Sequence, residues 1–325
     1  MSIWISVILI IVGFLLLIKG ADFLVDGSSN IAKRFHIPEI IIGLTIVSIG
    51  TSLPELMVSL KSAISGHSDM SVGNVVGSNI CNLLLILGLS STIRPLIIKR
   101  ETRLIEVPIC LALTILFAIF CNTSSIISRI EAIALIILFS MFIVYTIIMG
   151  KKGEKFDEEP GEIENKVEKI ENEKPVSMVK NILFILLGIV ALKFGGDLVV
   201  DYSTIIAEHF NISEQIISLT IVAIGTSLPE LVTSVIATIK GNSDISIGNI
   251  LGSNIFNMAF IMGVTALINP VAYNLVYNFE LGILIVASIV LALFPIIPPK
   301  NKMSRRNGIL YLLLYIAYMV ALFNK

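Results

Sequence analysis

Charged side chains are scarce in this chain. Asp, Glu, Lys and Arg make up 14% of its 325 residues, whereas a typical soluble domain contains about 25%. Hydrophobic residues make up 55%, and the mean hydropathy is +0.93. Because so few charges cannot cover a surface that faces water, the composition argues against a soluble globular protein and favours one embedded in a lipid bilayer.

The chain also lacks an excess of either charge and a metal-binding cysteine pattern. Its 23 basic and 24 acidic residues leave a net charge of -1, so nothing predicts binding to nucleic acid. The three cysteines, Cys81, Cys110 and Cys121, lie in apolar runs without CxxC spacing. This pattern argues against a disulfide framework or a zinc site. We interpret the cysteines as small apolar packing residues.

Long apolar runs separated by short polar breaks take up most of the chain. A bilayer core about 30 Å thick needs about 20 mainly apolar residues per helix. The first run has no basic segment before it and no cleavage site after it, so we expect a retained span rather than a signal peptide. The sequence predicts an all-α membrane protein with ten transmembrane helices. The predicted spans are 3–26, 38–65, 70–92, 103–121, 126–149, 179–205, 213–240, 244–268, 277–297 and 306–323.

A polar segment at 151–177 separates the first five predicted spans from the last five. It is rich in Glu and Lys and contains two glycines and two prolines, which is typical of a solvated linker. We therefore expect two domains, 1–150 and 178–325, joined by this linker.

Lysine and arginine are concentrated in alternate connections between the predicted spans. With the N-terminus outside, 18 of the 23 lysines and arginines fall in the cytoplasmic connections and three fall outside. Cytoplasmic loops of membrane proteins normally carry such an excess. The sequence therefore predicts a cell-membrane protein with both termini outside and the linker in the cytoplasm.

The sequence repeats itself after 175 residues. Ile49–Leu56 reads IGTSLPEL, and Ile224–Leu231 is identical to it. Gly77–Asn82 (GSNICN) recurs as Gly252–Asn257 (GSNIFN). Because each half has five predicted spans, an odd number, the two halves must enter the membrane from opposite sides. The sequence thus predicts two inverted five-helix repeats, an arrangement that many secondary transporters use.

Each copy of the repeat carries a glutamate near the middle of a predicted span. These residues are Glu55 and Glu230, and neither span offers a lysine or arginine at the same depth. A charge at the centre of a membrane helix costs at least about 2.5–3.5 kcal/mol on insertion scales. A bound cation is therefore the expected partner of the two carboxylates. The alternative is a protonated pair that serves packing only.

Oxygen-bearing residues accompany both glutamates. Hydroxyl, amide and carboxylate oxygens are the ligands that hard cations prefer, and residues three or four positions apart share a helix face. Pro54 and Pro229 should break the helices and free backbone oxygens. We expect the following side chains to face the glutamates: Thr51, Ser52, Thr226, Ser227, Ser78, Asn82, Ser253 and Asn257.

Other polar residues in the spans have a more ordinary interpretation. Asn74 and Asn249 are expected to form hydrogen bonds between helices. Four aspartates lie toward the ends of predicted spans 1 and 6, where we expect solvated helix ends, with a cation funnel as the alternative. These aspartates are Asp22, Asp26, Asp197 and Asp201.

The doubled GTSLPE and GSN motifs resemble the two alpha-repeats of the sodium/calcium exchanger family, in the cation/calcium antiporter superfamily, and look like the prokaryotic type. The resemblance covers nearly the whole chain. It implies a secondary active antiporter, not an enzyme, that exchanges sodium for calcium by alternating access, needs no cofactor and moves spans 1 and 6 as a sliding bundle. The archaeal type has Asp where this chain has Asn257, which leaves two site carboxylates instead of three.

The resemblance also implies a ligand set. The glutamates would bind calcium, the neighbouring Thr and Ser residues would help form calcium and sodium sites, and the asparagines would occupy the centre. Two serines on spans 3 and 8 would serve flanking sodium sites. Ser48 and Ala223, which lie two positions before the two GTSLPE motifs, would contribute backbone carbonyls. The implied set is Glu55, Glu230, Thr51, Thr226, Ser52, Ser227, Asn82, Asn257, Ser78, Ser253, Ser48 and Ala223.

Counting charges suggests how the exchange is coupled. Two ionised carboxylates are neutralised by one calcium or by two sodium ions, and a third sodium would make exchange electrogenic.

The expected partners are calcium, sodium and the lipid bilayer, and a monomer is expected because both halves of the site are in one chain. Three alternatives remain open: a potassium-dependent or proton-coupled calcium exchanger, a cation channel, and a membrane scaffold that transports nothing.

Overall fold

The computed structural model describes residues 3–65, 69–152, 177–210, 223–294, 296 and 301–323. Helices account for most of them, because the long apolar runs carry few helix breakers. The helices are α1 (Ile3–Phe35), α2a (Glu39–Thr51), α2b (Leu53–Ile64), α3 (Met70–Ile93), α4 (Thr102–Thr123), α5 (Arg129–Lys151), α6 (Met178–His209), α7a (Ala223–Thr226), α7b (Leu228–Ile239), α8 (Ser243–Ile268), α9 (Leu275–Leu293) and α10 (Arg305–Phe323).

Seven of the described helices are long and apolar enough to cross a membrane, namely α1, α3, α4, α5, α6, α8 and α9. Helices α2a and α2b, bent by 49° between them, make an eighth if the pair is one span. All of them lie where the sequence predicts spans, although α1 and α6 continue beyond the predicted ends. The predicted span 213–240 lies partly outside the described residues, and so does nearly all of the linker 151–177.

Helices α1 and α6 pack antiparallel with their backbones in close contact. A Cβ atom on Gly20 would lie 2.9 Å from the backbone oxygen of Gly188, and one on Gly188 would lie 2.8 Å from that of Gly20. Gly13 and Gly195 meet in the same way one seven-residue interval away, at 2.9 and 2.7 Å. Glycine at these positions lets the two helices approach more closely than any other residue would allow.

Four two-residue strands, which the all-α prediction lacks, join the two halves of the chain. Strand β1 (Leu96–Ile97) pairs antiparallel with β4 (Lys302–Met303). Strand β2 (Ile126–Ile127) pairs antiparallel with β3 (Val271–Ala272). One sheet thus ties the α3–α4 connection to the α9–α10 connection, and the other ties the α4–α5 connection to the α8–α9 connection.

The two polar helices α3 and α8 lie in the interior, and each contains a widened π-helical turn. The turns are Cys81–Ile86 in α3 and Phe256–Ile261 in α8, and they correspond under the shift of 175 residues. Such turns re-aim side chains and often mark functional positions. Each turn carries one of the predicted site asparagines, Asn82 or Asn257.

Candidate cation site

Both glutamate-bearing helices break just before the glutamate, as the prolines predict. The break lies at Ser52 (φ -85°, ψ 11°) in the first half and at Ser227 (φ -88°, ψ 6°) in the second. Proline occupies the first turn of the helix that follows, where its missing N–H costs nothing. Glu55 and Glu230 therefore lie in the first turns of α2b and α7b, where the helix dipole favours negative charge.

The twelve predicted ligand residues lie on six helical segments and at the two breaks. In chain order, they are Ser48 and Thr51 on α2a, Ser52 at the first break, Glu55 on α2b, Ser78 and Asn82 on α3, Ala223 and Thr226 on α7a, Ser227 at the second break, Glu230 on α7b, and Ser253 and Asn257 on α8.

Each glutamate accepts a hydrogen bond from the serine at the other half's break. Ser52 Oγ donates to Glu230 Oε1 at 2.7 Å, and Ser227 Oγ donates to Glu55 Oε1 at 3.3 Å. Ser78 Oγ lies 3.5 Å from the same oxygen of Glu55. Both glutamates are only 1% exposed. Among the described residues, no lysine, arginine or histidine pairs with either carboxylate.

Four buried carboxylate and amide oxygens in this region have no hydrogen-bond partner. They are Glu55 Oε2, Glu230 Oε2, Asn82 Oδ1 and Asn257 Oδ1. Helix α7b packs against the π turn of Asn82, and α2b packs against that of Asn257, so each glutamate's helix lies beside the asparagine of the other half. Leaving one such polar atom unpaired costs about 1–3 kcal/mol or more, so four together favour a bound ligand that supplies positive charge.

These oxygens suit a hard cation. Two carboxylate and two amide oxygens are typical calcium ligands, and sodium is bound by the same kinds of atom. Within the described part of the chain, no group of three or more His, Cys, Asp or Glu side chains could hold a metal. Amide and hydroxyl oxygens would therefore have to complete the coordination. The buried hydroxyl of Thr226, which also has no hydrogen-bond partner, is one such atom.

Asn74 and Asn249 form the hydrogen bonds between helices that the sequence predicts. Asn74 Nδ2 donates to the backbone oxygen of Glu55 at 3.2 Å, and Asn249 Nδ2 donates to that of Glu230 at 3.4 Å. Asn249 Oδ1 also accepts from Thr51 Oγ1 at 3.0 Å. These bonds hold α3 against α2b and α8 against α7b, and so support the backbone on which each glutamate is carried.

The backbone oxygen of Ser48 lies within hydrogen-bond distance of three donor atoms. It accepts from the backbone N–H of Ser52 at 3.0 Å, and it lies 3.2 Å from Thr51 Oγ1 and 3.5 Å from Ser253 Oγ. Ala223, its counterpart, begins α7a, and its side chain lies outside what the structure describes.

Three of the four aspartates on α1 and α6 pair with lysines. Lys240 Nζ lies 3.1 Å from Asp22 Oδ1 and 2.7 Å from Asp26 Oδ1, and Lys193 pairs with Asp197 on the same helix. Asp201 is exposed. The prediction of helix ends is wrong, because α1 (Ile3–Phe35) and α6 (Met178–His209) continue well past these aspartates. The four side chains are nevertheless partly or fully exposed.

Two asparagines beside the candidate site, Asn79 and Asn254, are not among the residues predicted from the sequence. They hydrogen-bond to Asn257 and Asn82 at 3.0 Å. Their signal is present in the doubled GSN motif, in which the asparagine is repeated along with the serine. Spacing along one helix does not reveal them, because their partners lie on the other half of the chain.

The family model described as "Sodium/calcium exchanger protein" matches residues 5–148 and 180–324. The chain belongs to the sodium/calcium exchanger family. It is similar to the sodium/calcium exchanger MaX1 of Methanosarcina acetivorans, with 30% identity over 98% of this chain and 99% of that one. It is also 36% identical to the inner membrane protein YrbG of Escherichia coli, over 88% and 87% of the two chains.

The fold matches that of a solved exchanger. A structure of the sodium-calcium exchanger NCX_Mj, soaked with 2.5 mM Na+ and 0.1 mM Ca2+, superposes with a TM-score of 0.83 at 31% identity. The match covers 98% of each chain. Together with the long apolar helices, these relationships identify a membrane protein from a family of transporters, as the motifs predict.

Proposed function

We propose that this protein is a secondary active antiporter that exchanges sodium for calcium by alternating access. The observation that carries the proposal is the set of four buried, unpartnered oxygens, which the two halves of the chain supply in equal number. A cation bound among them would neutralise two carboxylates that have no basic partner. The names of MaX1 and NCX_Mj as sodium/calcium exchangers support the choice of ions.

We propose a ligand set of twelve residues, with no catalytic residue and no cofactor. The glutamates and asparagines carry the four unpartnered oxygens, and the serines at the breaks orient the glutamates. The remaining members contribute hydroxyl or backbone oxygens as the ion changes. The set is Glu55, Glu230, Asn82, Asn257, Ser52, Ser227, Thr51, Thr226, Ser78, Ser253, Ser48 and Ala223.

The proposed architecture has ten spans in two inverted repeats, 1–150 and 178–325, with both termini outside and the linker 151–177 in the cytoplasm. The strand pairs support this topology. Strands β1 and β4 would both be cytoplasmic, and β2 and β3 would both be outside. Each sheet therefore joins two connections that the proposed orientation assigns to the same side. The protein is proposed to act as a monomer.

The two carboxylates suggest why transport is coupled. Empty, the site would carry two negative charges through an apolar region, which is costly, so the carrier crosses only when loaded. One calcium neutralises the pair, and three sodium ions would leave one positive charge. We therefore propose electrogenic exchange of three sodium ions for one calcium. Exchange whose rate and direction do not depend on membrane voltage would contradict this ratio.

Uptake of calcium-45 into sodium-loaded proteoliposomes diluted into sodium-free buffer tests the function. We expect wild-type protein to take up calcium only with sodium inside, and Glu55→Gln to lose this uptake because one of the two site charges is gone. Glu208→Gln, at the exposed end of α6, is the matched control and should behave as wild type.

Other results would reassign the protein. Uptake that requires potassium or a pH gradient would indicate a potassium-dependent or proton-coupled exchanger. Uptake without any counter-ion would indicate a channel. Full activity in Glu55→Gln would refute the role of the carboxylate pair.

A further inference from the structure

Asn79 and Asn254 bond reciprocally between α3 and α8, and Asn82 and Asn257 each donate to one of them; the four residues together are called the asparagine ring. Asn79 Nδ2 donates to the backbone oxygen of Asn254 at 3.3 Å, and Asn254 Nδ2 donates to that of Asn79 at 3.4 Å. Asn82 Nδ2 donates to Asn254 Oδ1, and Asn257 Nδ2 donates to Asn79 Oδ1, both at 3.0 Å. None of the four residues is more than 1% exposed.

The two backbone oxygens determine the direction of every bond in this asparagine ring. A carbonyl oxygen can only accept, so the part of the Asn79 and Asn254 side chains that meets it must be the NH2 group. The Oδ1 atom of each side chain then points away from that carbonyl and accepts from the next asparagine. The NH2 groups of Asn82 and Asn257 are thereby used within the ring.

These bonds fix the amide orientation of Asn82 and Asn257, the two asparagines of the proposed cation site. With their NH2 groups engaged, the Oδ1 atoms of Asn82 and Asn257 have no hydrogen-bond partner and are free to bind a cation. A turned amide would place two oxygens about 3.0 Å apart within the ring and present N–H donors to the ion. The amide torsion is itself broad, so a buried asparagine needs such partners to keep one orientation.

We propose that Asn79 and Asn254 are positioning residues that hold the amides of Asn82 and Asn257 with Oδ1 toward the transported cation. The inference rests on the proposed cation site and deepens it. It assigns to Asn79 and Asn254 no contact with the ion. Their role is to determine which end of each site amide the ion meets, and therefore how tightly the site binds the cation.

The ring also explains why asparagine suits positions 82 and 257 in this chain. An aspartate at either position would lack the NH2 group and would set an oxygen against Asn254 Oδ1 or Asn79 Oδ1, now 3.0 Å from the nitrogen. The added negative charge would attract calcium, but the lost hydrogen bond would oppose it. When Asn254 is replaced by an apolar residue, a carboxylate at position 82 no longer faces the Asn254 Oδ1 atom, and this cost to calcium binding is removed.

A double-mutant cycle tests the proposal by calcium-45 equilibrium binding to the purified full chain. We expect Asn254→Leu, which is similar in size, to weaken calcium binding by up to about tenfold, roughly the upper range for one neutral hydrogen bond. The effect of Asn82→Asp on calcium affinity should be about tenfold more favourable in the Asn254→Leu background than in the wild-type background. The reason is that a carboxylate presents an oxygen whichever way it turns. A purely structural role for Asn254 predicts no such coupling.

The control variant is Asn122→Leu. Asn122 and Asn278 also exchange two amide hydrogen bonds between the halves, at 3.0 and 2.9 Å, but they lie exposed. We expect this variant to bind calcium as wild type does. Thermal unfolding in detergent checks that each variant is folded before its affinity is compared.

The outcomes separate the two proposals. Wild-type protein that binds no calcium would refute the cation site, and the ring's role with it. Wild-type binding together with unchanged affinity in Asn254→Leu, or with additive effects in the cycle, would overturn the ring's role alone.

Discussion

At the scale of single residues, the orientation of each site carboxylate depends on a serine of the other half. Ser52 holds Glu230 and Ser227 holds Glu55, in each case through Oε1. Hydrogen bonds to a carboxylate are shorter and stronger than those between neutral groups. The serines thus leave Oε2 of each glutamate as the free oxygen and link the two halves at the site itself.

Ser52→Ala tests this linkage. We expect calcium affinity to fall about tenfold, because a hydrogen bond to a charged group contributes about 1.5–3 kcal/mol. Ser227→Ala should have a smaller effect, since its bond is 3.3 Å long and that of Ser52 is 2.7 Å. Calcium-45 equilibrium binding gives the affinities.

Ser140→Ala is the matched control for Ser52→Ala. Its hydroxyl donates to the backbone of its own helix at an exposed position, so binding should not change. A Ser52→Ala protein that binds calcium as tightly as wild type would show that Glu230 does not need this donor.

At the scale of helices, α1 and α6 are held together by glycines spaced seven residues apart. Gly13, Gly20 and Gly27 on α1 face Gly195, Gly188 and the backbone of Asn181 on α6. A seven-residue spacing keeps successive glycines near one face of a helix. The close backbone contact therefore recurs along both helices at each of these glycines.

Gly20→Val tests this contact. Its Cβ would lie 2.9 Å from backbone atoms of α6, and backbone cannot yield as a side chain can. We expect a cost of about 1–3 kcal/mol from overpacking, and hence a lower unfolding temperature in detergent.

Gly282→Val is the control, because a Cβ at Gly282 meets nothing within 4 Å. Its unfolding temperature should stay close to that of wild type. Equal unfolding temperatures for the two variants would mean that α1 and α6 are not packed closely through glycine.

The helices and the repeat could be predicted from sequence because each leaves a local signal. Apolar runs mark the spans, and the identical motifs around Glu55 and Glu230 mark the equivalent positions. The strand pairs could not be predicted, since two residues carry no alternation and their partners lie far away in the chain. The seven-residue spacing of the α1 glycines was visible in the sequence, but it does not name α6 as the partner.

The site was predictable in its composition and less so in its connections. Proline predicted the helix breaks, and mid-span glutamates predicted a cation partner. The ring of Asn79, Asn82, Asn254 and Asn257 depends on the distance between α3 and α8, which no spacing along one helix reveals. For the same reason, the exchange of serine donors between the halves became apparent only in three dimensions.

At the scale of the whole molecule, the two halves contribute equally to the proposed site. The serine bonds, the asparagine ring and both small sheets cross from one half to the other. Neither half alone holds both carboxylates, so an ion bound here would contact both repeats. Movement of one repeat against the other would then change access to the ion without dismantling its ligands.

The most direct test of this account is a crystal structure of calcium-soaked protein, with the ion located by its anomalous scattering. We predict one calcium about 2.3–2.6 Å from Glu55 Oε2 and Glu230 Oε2, with Asn82 Oδ1 and Asn257 Oδ1 facing it. An ion found only beside the aspartates of α1 and α6, or bound by ligands from one half alone, would contradict the account.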